Sequence, residues 1–198
     1  MHRPIPFTIK LLYTVFVVLL IPFYVRYYGW WNFLWFSDIA LLLTVPALWM
    51  EQRLLASMMM LSVFVFDSVW VLDYAVRGVF GFHIIGGSAY MFETDTPLFL
   101  RNLSLFHVIL PPVLLLLVKR LGYDTRALKY QTMLAWVAIV VSYLFTEPEA
   151  NINWAFGLGV AMKWQYPKLY LVGLMLAIPT VIYLPMHHIL KRTCPVSV

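Results

Sequence analysis

Six stretches of about 20 mainly apolar residues run through this chain, near residues 8–25, 31–50, 54–76, 98–118, 129–146 and 169–190. A helix rising about 1.5 Å per residue needs that length to cross a hydrocarbon layer roughly 30 Å thick. The pattern predicts an all-α polytopic membrane protein with six transmembrane helices in a single integral membrane domain, 1–198. Composition agrees where it bears on the point: 12% of residues are charged, against about 25% in a soluble domain.

His2, Arg3 and Lys10, at the start of the first stretch, resemble the start of a signal peptide. The residues that follow it, Arg26-Tyr27-Tyr28-Gly29-Trp30-Trp31, are too bulky for a small-residue cleavage site. The first helix is therefore expected to be retained. Six crossings put both termini on one side, and the cations choose which. Arg3, Lys10, Arg53, Lys119, Arg120, Arg126, Lys129, Lys191 and Arg192 share the termini's side. Arg26, Arg77, Arg101, Lys163 and Lys168 fall on the other, with the acidic residues Glu93, Asp95, Glu147 and Glu149. The positive-inside rule then makes both termini cytoplasmic, in a cell membrane of the bacterial inner or plasma type. The net charge of +5 suits loops facing an anionic leaflet and gives no nucleic-acid signal. Cys194 stands alone, so no disulfide forms within the chain; it is an idle thiol or an acylation site.

The two loops on the far side are long, Arg77 to Pro97 and Glu147 to Lys168. Gly78, Gly81, Gly86 and Gly87 loosen the first, Gly157 and Gly159 the second. Long loops tend to carry lids and binding residues. No internal repeat or heptad is present, and the inverted repeat of many transporters is missing.

Ionisable residues inside a span are costly and mark candidate sites. Counting at helical rise, Ser37 and Asp38 lie about 9–11 Å below the outer end of the second span. Asp67 in the third and His107 in the fourth lie about 14 Å deep, Asp73 about 5 Å. Arg77, Arg101 and Asn102 sit at the rim, and the inner halves read as almost purely apolar. This asymmetry predicts a polar pocket in the outer half of the bilayer. Leu100, Ser104, His107 and Pro111 share one face of the fourth helix. Pro111-Pro112 should kink it below His107, and Asp73 and Arg77 at i, i+4 should neutralise each other. His83 reads as a solvated loop residue, His187-His188 as interfacial.

Each of these residues has a plainer reading. Ser37 suits a helix crossing or a hydroxyl bonded back to its own helix. His107 suits an interhelical hydrogen bond. Asp38, Asp67 and Asp73 need a cation or a proton, and Arg77, Arg101 or His107 would serve. Asp38, Asp67 and His107 are a two-carboxylate, one-histidine set that no spacing motif backs as a metal site, and a haem would need a second mid-span histidine. No metal and no cofactor are expected.

Ser37-Asp38-Ile39-Ala40-Leu41, Phe106-His107 and Asn153-Trp154 together resemble the six-helix membrane family that includes the bacterial YwaF-like proteins. Its distant relatives are the androgen-induced-gene lipid hydrolases with a Thr/His pair and a phospholipid acyltransferase with a Cys/His pair. The resemblance covers about 31–156 and departs from the pattern at Phe33 and Trp35, where the family has a proline and a second histidine. It implies that Ser37 stands where the family has its nucleophilic cysteine and that His107 is its base. On that basis the expected function is a lipid-metabolising acyl hydrolase or acyltransferase working on lipid esters from the outer leaflet. Asp67 or Asp38 would orient the imidazole, Arg101, Arg77 and Asn102 would hold a phosphate or carboxylate head group, and Asn153 would supply an oxyanion contact. Membrane lipids are the expected partners. The rival expectations are a non-catalytic scaffold or complex subunit, bound to an unidentified protein, and a small transporter or proton relay using Asp67, Asp73 and His107.

Overall fold

The computed structural model describes residues 4–158 and 162–195. His2, Arg3 and Gly159, used above, lie outside them. Among the described residues the chain is helical, with no extended strand. Five helices are long and apolar enough to cross a membrane: Phe7–Tyr28, Arg53–Phe80, Leu98–Leu121, Ala127–Phe145 and Pro167–Thr193. The remaining apolar helix, Phe36–Trp49, is shorter, at 14 residues.

The labels used below are α1 (Phe7–Tyr28), α2 (Phe36–Trp49), α3 (Arg53–Phe80), α4 (Leu98–Leu103), α5 (Phe106–Leu121), α6 (Ala127–Phe145), α7 (Pro167–Ala177) and α8 (Leu184–Thr193). The central element is α3, which packs against α2, α5 and α6. Ala56, Met59, Met60 and Val63 of α3 and Leu110, Leu114, Leu117 and Val118 of α5 are fully buried in one hydrophobic core. Away from that core the helices show Leu12, Val18, Leu72, Ile109 and Val137 on the outside. Such a surface is at home in lipid, where an apolar exterior costs nothing.

The ends of the bundle differ. At one end the loops are short, and both ends of the described chain gather there. The Arg120 guanidinium donates to the Pro4 carbonyl at 3.1 Å, and the Tyr123 amide donates to the Pro195 carbonyl at 2.7 Å. Asp124 closes this end. Its amide donates to Ser57 Oγ at 3.0 Å, and its carboxylate accepts from Arg126 Nε and Nη2 at 3.0 and 2.8 Å. The Arg126 guanidinium holds the Asp124 carboxyl below the usual carboxylate range. Cys194 is buried here as well.

Several local expectations are corrected. The second stretch is not one helix from 31. Trp30–Leu34 forms a 3-10 turn, Trp35 is extended at φ −55° and ψ 138°, and α2 begins only at Phe36. The break near His107 lies above it, at Ser104-Leu105 between α4 and α5, while Pro111 and Pro112 stay inside α5. A proline ring presses on the carbonyl four residues back, so the rearrangement falls in the preceding turns. The amides of Leu105, His107 and Val108 accordingly bond to carbonyls three residues back, at 3.2, 3.3 and 2.9 Å. Between α7 and α8 the helix widens to a π segment, Ile178–Tyr183, in which the Leu184 amide reaches the Pro179 carbonyl. Pro185 follows directly and has no N–H to give, which suits a π bulge.

The short-loop half is also less uniformly apolar than its sequence suggests. Gln131 Nε2 donates to Tyr183 Oη at 3.4 Å, and buried His187 meets Tyr123 Oη at 2.7 Å. Within the helices the buried carboxylates Asp38, Asp67 and Asp73 do keep to the long-loop half.

Candidate functional site

Asp73 sets the roof of the site. It does not pair with Arg77 as the i, i+4 rule suggests. Its carboxylate is fully buried and accepts from the amides of Ile84, Ile85, Gly86 and Ser88 at 2.7, 2.9, 3.3 and 3.1 Å, and from Ser88 Oγ at 2.6 Å. His83 Nδ1 lies 3.0 Å away, so His83 is a partner of Asp73 and not a solvated loop residue. Gly81 makes the fold-back possible: it caps α3 at φ +81°, a left-handed conformation that suits glycine. Arg77 is left to bond the Gly81 carbonyl. The loop so tied places Ile85, Gly87 and Tyr90 over a cavity between α1, α2, α3 and α5.

That cavity measures about 600 Å³, within the range of small-molecule sites. Of the residues singled out from sequence, Ser37, Asp38, Asp67, His107 and Asn153 line it, together with Ser104. Arg77, Arg101 and Asn102 are not among its lining residues. Arg101 Nη1 donates to the Met91 carbonyl at 3.1 Å, and Asn102 is exposed.

His107 and Asp67 form a pair. Asp67 Oδ1 lies 3.0 Å from His107 Nδ1, with the histidine side chain 13% and the aspartate 2% exposed. Trp70, one turn along α3 from Asp67, stacks on the imidazole at 4.6 Å. In the neutral tautomer whose Nδ1 donates to Asp67 Oδ1, Nε2 keeps a free lone pair. Among the described residues Nε2 has no hydrogen-bond partner.

The Ser37 hydroxyl is also without a hydrogen bond among the described residues. Ser62 on α3 is likewise without a partner, whereas Thr44, Ser68 and Thr132 donate to the carbonyl four residues back, at 2.6, 2.6 and 2.8 Å. Ser37 sits in the first turn of α2, and four residues back the chain is a 3-10 turn. No helical carbonyl is there to take its proton.

Asn153 fixes that first turn from a distance. Its Oδ1 accepts from the Phe36 amide at 2.9 Å, and its Nδ2 donates to the Leu34 carbonyl at 2.7 Å and to Ser142 Oγ at 3.3 Å. An amide of α2 that has no partner within the helix is thereby satisfied. With both ends of its amide engaged, Asn153 positions Ser37 and Asp38; an oxyanion would have to displace one of these bonds. The segment that carries it is strained, with Asn151, Asn153 and Trp154 at φ of 40°, 54° and 57°. Asparagine visits this region readily, but for a bulky tryptophan it is an outlier. Trp154 itself lines the cavity.

Three residues that line the cavity each carry a buried polar atom without a partner: Tyr28 Oη, Asp38 Oδ1 and Asp67 Oδ2. The other oxygen of Asp38 has only Asn32 Nδ2, at a long 3.5 Å. Sequence reasoning missed Tyr24, Tyr28, Asn32, Trp70 and Tyr90. The i, i+4 spacing of Tyr24 and Tyr28 and the i, i+3 spacing of Asp67 and Trp70 were the available signals. Tyr24 Oη reaches Ser104 Oγ at 2.8 Å, tying α1 to the α4–α5 break.

No protein-family model matches this chain, and neither a curated protein nor a solved structure matches it.

Proposed function

We propose that this chain is a membrane-embedded acyl hydrolase or acyltransferase of the serine type, acting on lipid esters. One observation carries the reading: an unengaged Ser37 hydroxyl and a His107 imidazole oriented by Asp67 line the same cavity. A free hydroxyl is a poor nucleophile and needs such a base. In the reaction Ser37 gives its proton to His107 Nε2 as its oxygen bonds to the ester carbonyl carbon. The tetrahedral adduct collapses, the alcohol leaves with the proton from His107, and an acyl-serine remains. Water or a second alcohol then takes the acyl group by the same steps in reverse, restoring the hydroxyl. Asp67 steadies the imidazolium formed on the way.

A purely structural role for the buried carboxylates would pair them, whereas Asp38 Oδ1 and Asp67 Oδ2 have no partner, and both residues line the cavity. The proposal includes six crossings with both termini cytoplasmic, in a bacterial plasma membrane. Trp30–Leu34 and α2 together make the second crossing. The meeting of Pro4 and Pro195 with the 120–123 segment supports an even number, and the cation count supports the orientation. Kinship with the YwaF-like proteins is likewise proposed, on Ser37-Asp38, Phe106-His107 and Asn153-Trp154.

The test is labelling of the purified protein by a lipophilic fluorophosphonate. Wild type is expected to label, and Ser37→Ala and His107→Ala to lose the label. Equal labelling of all three refutes the mechanism.

A further inference from the structure

The charges on the cavity wall do not balance. Asp38 and Asp67 both line the cavity, both are more than nine-tenths buried, and each has one oxygen without a partner. His107 Nδ1 hydrogen-bonds to Asp67, and Asp38 has no such partner on a neighbouring ring. No lysine or arginine lines the cavity, and Arg77 and Arg101 are turned to the carbonyls of Gly81 and Met91. A carboxylate in so dry a place needs a counter-charge or a proton.

The rest of the wall says what kind of counter-charge fits. Nine of the 21 lining residues are Phe, Trp or Tyr. Aromatic faces attract cations, most strongly when these are poorly hydrated, and cages of such rings hold quaternary ammonium groups. The volume, about 600 Å³, far exceeds a bare metal ion. Among the described residues no three His, Cys, Asp or Glu side chains converge as metal ligands. An anionic group would meet two carboxylates here. The two carboxylates therefore disfavour a lone anion and favour a cation in the cavity.

We propose that the cavity is a recognition site for an organic ammonium group, with Asp38 as its counter-ion and the aromatic wall around Trp35, Phe66, Trp70 and Tyr90 as its cage. This rests on the cavity being the substrate site proposed above and adds the substrate's chemical class. Asp67 is committed to His107, so Asp38 is the discriminating residue. The ammonium belongs either to a lipid head group or to a free amine.

The test uses the full chain in dodecyl maltoside, read by quenching of tryptophan fluorescence, since Trp35, Trp70 and Trp154 stand in the wall. The probes are choline and its uncharged isostere 3,3-dimethylbutan-1-ol. Choline should saturate at a concentration at least tenfold lower than the isostere. Asp38→Asn should raise the choline half-point at least tenfold and leave that of the isostere unchanged, which also shows that the variant is folded. Asp38→Glu, retaining the charge, should retain the preference. Dihexanoylphosphatidylcholine below its micellar concentration separates the sources: binding tenfold tighter than choline points to a lipid head group, equal or weaker binding to a free amine, and either supports the site. No preference for choline over the isostere, or choline binding unaltered in Asp38→Asn, overturns it. Choline binding without fluorophosphonate labelling sinks only the catalytic reading, and labelling without choline binding sinks only this one.

Discussion

Asn153 reaches across 117 residues of sequence to hold the start of α2, and its removal gives a calculable loss. In Asn153→Ala the Phe36 amide and the Leu34 carbonyl, bonded now at 2.9 and 2.7 Å, lose their partners. An orphaned buried polar group costs about 1–3 kcal/mol, so about 3 kcal/mol is expected for the two. The position sits at φ 54°, where an alanine adds about 1 kcal/mol over asparagine. The total, about 4 kcal/mol, corresponds to a fall in Tm of about 8–16 °C at roughly 2–4 °C per kcal/mol for a chain of this size. Asn153→Gly removes the conformational part alone and should recover about 2–4 °C of that fall. Thermal unfolding of detergent-solubilised protein followed by circular dichroism reads both. A change in Tm of less than about 2 °C for the alanine variant refutes the latch. Full recovery by glycine means that backbone strain, and not the hydrogen bonds, was responsible.

Asp73→Ala strips the acceptor from four backbone amides at the roof and should cost about 3 kcal/mol or more. Hydrogen exchange should then accelerate over residues 83–91, and unchanged protection there counts against the role assigned to Asp73. Asp67→Asn turns the His107 partner into an amide that can donate to Nδ1, which would place the ring proton on Nε2. Fluorophosphonate labelling should slow by at least about 10²-fold with the fold retained; a normal rate means that Asp67 does not orient the base. Asp124 lies outside the spans, and its carboxyl is held below its unfolded range. A depressed folded value gives stability that is present above the unfolded range, near pH 4, and is lost as pH falls below it. Asp124→Asn should flatten this acid limb of the Tm profile, and an identical acid limb in the variant refutes the assignment.

What was legible in the sequence divides along a physical line. Hydrophobic length and helical periodicity are local, and they located the apolar helices to within a few residues at most ends. Depth counting is also local, and it brought Asp38, Asp67 and His107 to one level before their contacts were known. Partner choice is not local. The i, i+4 rule paired Asp73 with Arg77, but the rule weighs only neighbours on one helix, and a loop offering four amides outcompetes a single guanidinium. Asn153 was noticed for its aromatic neighbour, yet nothing in its surroundings reveals that its amide completes a turn near residue 36. The kink in the fourth span was expected because of its prolines but was set on their wrong side, since the carbonyl that a proline disturbs precedes it. The aromatic wall was invisible for a different reason. Tyr24, Trp70 and Tyr90 look like the interfacial rings that any membrane protein carries, and only packing separates a cage from a belt.

The central claim is that Ser37 is the group acylated in the cavity, and mass spectrometry after fluorophosphonate treatment addresses it directly. The account predicts a single adduct on Ser37, formed in wild type and absent from His107→Ala. An adduct on any other residue, or one on Ser37 that forms equally well without the His107 imidazole, contradicts it.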